Sequence, residues 1–178
     1  LHQLAELPGK TRDLPDPAAQ WLCQKSADLA EKLSELAAVL ETAALPRLII
    51  HGDYGLHNLL FHRDGTATVH DFELARLEWR LADLITVMSR LDEAESRTFM
   101  AAYAAEFPLT DEEWQLLPQV WQYYRLRGAV QYWHNHFVMP GRNRLSAAQQ
   151  RIQEADWALQ NPSKLWQLKA AADQTPRV

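Results

Sequence analysis

Four residues in one short stretch have the types and spacing for chemistry: His51, Asp53 and Asn58 in the order His-x-Asp-x-x-x-x-Asn, then Asp71 a little further on. A carboxylate and an amide oxygen are hard ligands suited to Mg²⁺, which keeps its other positions for water and phosphate. Asn58 and Asp71 could supply that pair. A second carboxylate, Asp53, stands at the head of the same loop, where it could orient a hydroxyl and take its proton. Phosphoryl transfer asks for little more than an aligned nucleophile and cations on the phosphate oxygens.

These residues act together only if the chain folds so as to collect them. Asn58-Leu59-Leu60-Phe61 and Thr66-Ala67-Thr68-Val69 flank Asp64-Gly65. Two β-prone runs around an Asp-Gly pair predict a hairpin, because both turn residues tolerate positive φ. Asn58 opens the first strand and Asp71 leaves the second, so antiparallel pairing makes them neighbours. Leu48-Ile49-Ile50 predicts a short strand leading into His51.

The flanks read as helical. Residues 1–16 hold two prolines and a glycine and are expected to be an irregular lead-in. Asp16-Pro17 then starts a helix, a capping carboxylate followed by a ring with first-turn φ. Leu29, Leu33, Leu36 and Leu40 lie on one face of that helix, which should stop near Ala44 ahead of Pro46. After Trp79 about five helices are expected. Leu81, Leu84, Ile85, Met88 and Leu91 form one apolar stripe, and Leu126, Val130, Trp133 and Phe137 another. Asp92 with Glu95, Thr110 with Glu113 and Ser146 with Gln149 are spaced as capping boxes. The fold class is α+β, mostly α-helical, with one small β-hairpin carrying the site.

The His-x-Asp-x-x-x-x-Asn loop, the hairpin, Asp71-Phe72 and a following Asp83-Leu84 resemble the catalytic and metal-binding segment of the protein-kinase-like superfamily. Gly52, Gly55 and Glu73 point to the branch of aminoglycoside phosphotransferases and choline kinase-like enzymes. Leu1-His2 is similar to the Leu-His that ends an upstream helix in that family. The resemblance implies a kinase-like C-terminal lobe spanning 1–178: residues 1–46 the lead-in and helix, 47–76 the catalytic and metal region, 77–178 helices on the acceptor side. It makes Asp53 the catalytic base and gives Mg²⁺ to Asn58 and Asp71. It assigns loop support to His51 and Asp83. The cofactors implied are Mg²⁺ and ATP or another nucleoside triphosphate; the acceptor is a small-molecule hydroxyl, its binding residues unassigned.

That family also needs a glycine-rich loop and a strand lysine. Only about fifty residues precede His51; they contain no Gly-x-Gly, and Lys10, Lys25 and Lys32 lie in polar or helical contexts. The N-terminal nucleotide lobe is therefore expected to be missing from this chain. It should work as part of a longer enzyme, be inactive alone, and self-associate through the face that lobe would cover. A non-catalytic kinase-like binding module is the alternative, although keeping Asp53, Asn58 and Asp71 argues against it. A metallophosphoesterase is less favoured, since Gly55 stands where that pattern needs a His.

Composition narrows the classes. The net charge of -5 over 178 residues gives no basic signature for nucleic acid or an anionic membrane. No apolar run is long enough for a bilayer span, and the lone Cys23, read as a buried small hydrophobe, fits a reducing, cytoplasmic setting. His70, His57 and His62 read as surface or loop residues, and Glu73 as a partner for Arg76 or a helix cap. The aromatics from Trp114 to Phe137 read as core. From 114 to 153 there is no Asp or Glu, yet Arg125, Arg127, Arg142, Arg144 and Arg151 occur, which leans the acceptor toward neutral or anionic.

Overall fold

A computed structural model describes residues 2–137, 149–151 and 153–156. They divide into two compact units, the first of residues 2–42 with 119–156 as far as described, the second of residues 43–118. The fold is α+β and mostly helical.

In the first unit, α1 (His2–Thr11) packs with α2 (Pro17–Thr42) and the later part of α5 (Asp111–Phe137). Helix α1 corrects the expectation of an irregular lead-in. Pro8 and Gly9 do lie within it, but Leu4, Leu7 and Thr11 recur on one buried face, and burial of that stripe overrides the local propensity. The start of α2 is as expected: Asp16 Oδ1 accepts the Ala19 N–H at 3.0 Å, and Pro17 occupies the first turn. Leu29, Leu33 and Leu36 of α2 meet Leu126, Ala129, Val130 and Trp133 of α5 in one buried cluster. The predicted stripes are thus real core faces, and Leu40 is buried as well. The aromatics of α5 join the core too, with Trp133 fully buried in that cluster and the partly buried Tyr123, Tyr132 and Phe137 packed against the cluster. Cys23 is half-buried and unbridged. Ser146 and the connection around Pro140-Gly141 lie outside the described residues.

The second unit carries the β-structure. Strands β2 (Leu59–Phe61) and β3 (Ala67–Val69) pair antiparallel with Leu59 opposite Val69, the hairpin expected. Gly65 takes φ of +85°, and Asp64 Oδ1 accepts from Thr66 N at 3.0 Å and Thr66 Oγ1 at 2.7 Å, closing the turn. Strand β1 (Arg47–Ile50) pairs not with the hairpin but with β4 (Arg76–Trp79), Ile50 opposite Arg76. This second ladder went unread because β4 is a four-residue run with only Leu77 and Trp79 to mark it. It returns the chain beside β1 and so closes the site segment into a loop with both ends fixed.

Helix α3 (Leu81–Met88) buries Leu81, Leu84, Ile85 and Met88, the expected stripe, while Leu91 is only half-buried beyond its end. Helix α4 (Glu93–Glu106) begins with the predicted capping box: Asp92 Oδ1 accepts from Glu95 N at 2.8 Å and Glu95 Oε2 from Asp92 N at 2.9 Å. The start of α5 repeats it: Thr110 Oγ1 accepts from Glu113 N at 3.1 Å and Glu113 Oε2 from Thr110 N at 2.8 Å. Among the described residues no helix is long and apolar enough to cross a membrane.

Candidate active site

The site segment begins where β1 ends. His51 is buried, and each of its ring nitrogens has a partner: Asp53 N–H lies 3.3 Å from Nδ1, and the His70 carbonyl 2.8 Å from Nε2. Nδ1 faces a donor and Nε2 an acceptor, so the ring is held as the neutral Nε2–H tautomer. It ties the loop head to the end of β3. The Phe72 ring packs beside it, centroids 4.6 Å apart.

Asp83, on the first turns of α3, holds the loop from the other side. Its Oδ2 accepts from His51 N at 2.7 Å and its Oδ1 from Gly52 N at 2.9 Å. Gly52 has φ of +84°, and a Cβ there would run into the Leu74 carbonyl, so both conformation and space demand glycine. The two residues that the family resemblance marked for loop support therefore both grip the loop backbone.

Asp53 leaves this braced corner with its carboxylate about 40% exposed. Its Oδ2 accepts from His57 Nε2 at 3.1 Å and, more weakly, from Asn58 Nδ2 at 3.4 Å. Asn58 is buried, and its Nδ2 also donates to the Asp53 carbonyl at 2.9 Å. Two acceptors facing one end of the amide fix that end as nitrogen, leaving Asn58 Oδ1 to face elsewhere. Asn58 O accepts the His70 N–H at 3.1 Å, so Asp71 follows immediately after the residue opposite Asn58. Asp71 is exposed and takes φ of 65° and ψ of 61°, the left-handed region that Asp tolerates better than most residues. That kink turns the chain out of β3 into the short 3₁₀ turn Phe72–Leu74.

The donor set suits a hard divalent cation held jointly with a phosphate. Among the described residues no group of three or more His, Cys, Asp or Glu is arranged to hold a metal ion. Any cation here would rest on the Asn58 amide oxygen and the Asp71 carboxylate, with further oxygens coming from phosphate and water.

Other sequence expectations resolve individually. His62 is a strand-surface residue bonded to Thr68 Oγ1 at 2.8 Å. His70 is half-buried and engages the loop through its backbone. Arg76 approaches Glu78, at 4.0 Å, and the Leu74 carbonyl rather than Glu73, because β4 puts its side chain alongside Glu78. Arg125 and Arg151 both bind Glu154, at 2.8 and 2.7 Å, just past the acid-free stretch. They brace their own unit, and Arg142 and Arg144 lie outside the described residues. Sequence reasoning missed His57 as the partner of Asp53. Its spacing of four from Asp53 was the signal available. A cavity of about 410 Å³ also opens beside the loop, walled by Leu48, Tyr54, Phe72, Phe99, Tyr103 and Phe107. Its polar liners Arg80 and Asp83 are already engaged.

Residues 1–116 match the model of APH, the phosphotransferase enzyme family. The chain belongs to this family. Homoserine kinases from three strains of Pseudomonas aeruginosa (LESB58, PAO1 and UCBPP-PA14) are similar to it, each 30% identical over 160 residues, covering 77% of this chain and 49% of the relative. The chain spans about half the length of these curated relatives. The family match includes the whole loop, hairpin and Asp83, so the phosphotransferase chemistry read from residue types and the geometry found here refer to the same segment.

Proposed function

We propose that this chain carries the catalytic side of an ATP-dependent phosphotransferase that moves the γ-phosphoryl group to a hydroxyl of a small molecule. Asp53 serves as base: the hydroxyl oxygen bonds to phosphorus, the bond to the departing ADP breaks, and the proton goes to the Asp53 carboxylate. Asn58 and Asp71 hold Mg²⁺, which offsets charge on the phosphate oxygens; His51 and Asp83 keep the loop in shape. The observation that carries the reading is the set of bonds on Asp53. With Oδ2 held by His57 and Asn58, Oδ1 is the oxygen left to meet a hydroxyl.

The chain acts in this reading as the C-terminal lobe of a longer cytoplasmic enzyme, the lobe that binds the nucleotide base being supplied by sequence outside it. Alignment with only about half of each homoserine kinase supports that arrangement. So do the exposed apolar side chains of the two strand pairs, among them Ile49, Leu60, Phe61 and Leu77, which such a lobe would cover. The chain alone would bind ATP poorly and pair with itself through that face. The acceptor would be neutral or anionic; a hydroxy amino acid such as homoserine is the first to try, given the relatives' activity.

The test is a coupled assay for ADP release by the full-length enzyme with Mg²⁺, ATP and a panel of hydroxyl acceptors. Asp53→Asn should cut kcat by roughly 100-fold or more while leaving nucleotide affinity close to normal. Near-normal turnover in that variant would remove Asp53 from the role of base. Titration of the isolated chain with Mg²⁺ and ATP checks the lobe assignment, and micromolar binding would overturn it.

A further inference from the structure

Beside the loop, just past the end of the helix that braces it, stands a guanidinium with no task in the scheme above. Asp83 lies in the first turn of α3, and Arg90 two residues past its last residue, Met88. The helical path continues past Met88, with Ser89 N bonded to Ile85 O and Arg90 N to Val87 O, each at 2.9 Å. While Asp83 grips the loop head, Arg90 Nε lies 3.6 Å from where a Cβ on Gly55 would stand.

Gly55 is what lets side chains come so near the loop there. Its φ of −119° and ψ of 162° are ordinary extended values that any residue adopts, so the backbone does not require glycine. Space does. A Cβ would stand 2.6 Å from His57 Cε1, 2.7 Å from His57 Nδ1 and 3.6 Å from Arg90 Nε. The missing side chain lets the imidazole that bonds Asp53 and the guanidinium of Arg90 both come close to the loop backbone.

The charge there is unspent. Asp53 pairs with His57, whereas Arg80 is bound by Glu113, Arg97 by Glu93, and Arg125 and Arg151 by Glu154. Arg90 is exposed and has no carboxylate partner among the described residues. An uncompensated guanidinium beside the loop that carries the catalytic carboxylate suits an acceptor whose own anionic group takes up the fork while its hydroxyl reaches Asp53.

We infer that Arg90 is the specificity-determining residue for the acceptor, and that the acceptor is a short hydroxy acid whose carboxylate it binds. This rests on the phosphotransferase reading above. It replaces Arg125 and Arg151, tied up by Glu154, as the source of anion preference, and it disfavours polycationic acceptors.

The experiment uses the full-length enzyme with matched pairs of short hydroxy acids and their carboxamides, homoserine first, at saturating Mg²⁺ and ATP. The wild type should favour the acid in kcat/KM. In Arg90→Ala the acid-to-amide ratio should fall by roughly 10- to 100-fold, carried by acceptor KM, with Arg90→Lys in between. Arg97→Ala, on α4, should keep the wild-type ratio. A wild-type enzyme that takes acid and amide equally, or only uncharged or cationic acceptors, overturns the inference alone. So does an Arg90→Ala loss that is equal on both acceptors or falls on nucleotide KM, since the cation would then serve phosphate or the fold. Absence of transfer to any hydroxyl overturns the phosphotransferase reading together with it.

Discussion

His57 Nε2 lies 3.1 Å from Asp53 Oδ2, which makes the imidazole a fixed donor to one oxygen of the residue assigned as base. In the proposed reaction the other oxygen, Oδ1, is the one left to meet the hydroxyl. The pair is not deeply buried, at 44% and 40% side-chain exposure, so its value lies in orientation more than in charge energy.

His57→Ala should therefore lower kcat by roughly three- to tenfold and leave nucleotide KM nearly as it was, since one partly exposed charged hydrogen bond is removed. His57→Gln, which keeps an N–H donor, should recover part of the loss. Steady-state kinetics of the full-length enzyme decide it. Equal rates for wild type and both variants would mean that Asp53 needs no such orientation.

The cation arrangement leads to a graded prediction. In the proposed site Asp71 would be a charged ligand and Asn58 a neutral one, so Asp71→Ala should abolish Mg²⁺-dependent nucleotide binding, and Asn58→Ala should weaken it. Asn58 also bonds the Asp53 carbonyl, so its variant should lose some loop order as well. Calorimetry with and without Mg²⁺ separates these effects. Unchanged Mg²⁺ dependence in both variants would sink the shared site.

Asp83 carries two backbone N–H groups at once. Asp83→Ala leaves His51 N and Gly52 N without their acceptor, at about 1–3 kcal/mol for each group that stays buried. A destabilisation of roughly 2–4 kcal/mol is expected in urea, together with a fall in kcat. Asp83→Asn retains one acceptor oxygen and should lie between. A variant as stable and as active as the wild type would show that the loop is held by His51 and Gly52 alone.

Much of this site was legible because its geometry follows from local rules. The Asp64-Gly65 turn sets the register that puts Asn58 opposite His70, and the apolar spacing of α2, α3 and α5 is a direct image of their buried faces. What was not legible depended on tertiary partners. Helix α1 forms because Leu4 and Leu7 are buried, which no local count of Pro8 and Gly9 reveals. Strand β4 is only four residues long and is defined by β1. Arg125 and Arg151 looked available because Glu154 falls just outside the acid-free window, although a helical spacing of three links Arg151 to it. Arg90 lies two residues past the end of α3, and only the folded loop shows that it approaches Gly55.

The last prediction concerns acid stability. Glu113 is fully buried and paired with Arg80, whose Nε lies 2.6 Å from Oε1, while the Thr110 backbone N–H binds Oε2. Burial alone would push its carboxyl up, but the bonds from Arg80 and Thr110 outweigh it and hold the group below its ordinary value of 4.5. A carboxyl depressed in the folded state binds its proton more readily when unfolded. Its contribution to stability is therefore complete above pH 4.5 and is lost as the pH falls through the lower folded value. Removing one partner of a buried ion pair leaves the other charge uncompensated, at about 3–5 kcal/mol. Arg80 keeps some solvent contact and also donates to the Pro108 carbonyl, so the lower end of that range is expected for Glu113→Ala at neutral pH. Glu113→Gln should lose less, since its amide oxygen can still accept. Urea unfolding of wild type and both variants at pH 7, and again below pH 4, measures the difference directly. The gap between wild type and Glu113→Gln should narrow on acidification, because only the wild type has a carboxylate to protonate. A gap that stays constant or widens in acid would show that the Arg80 pair contributes packing and not charge.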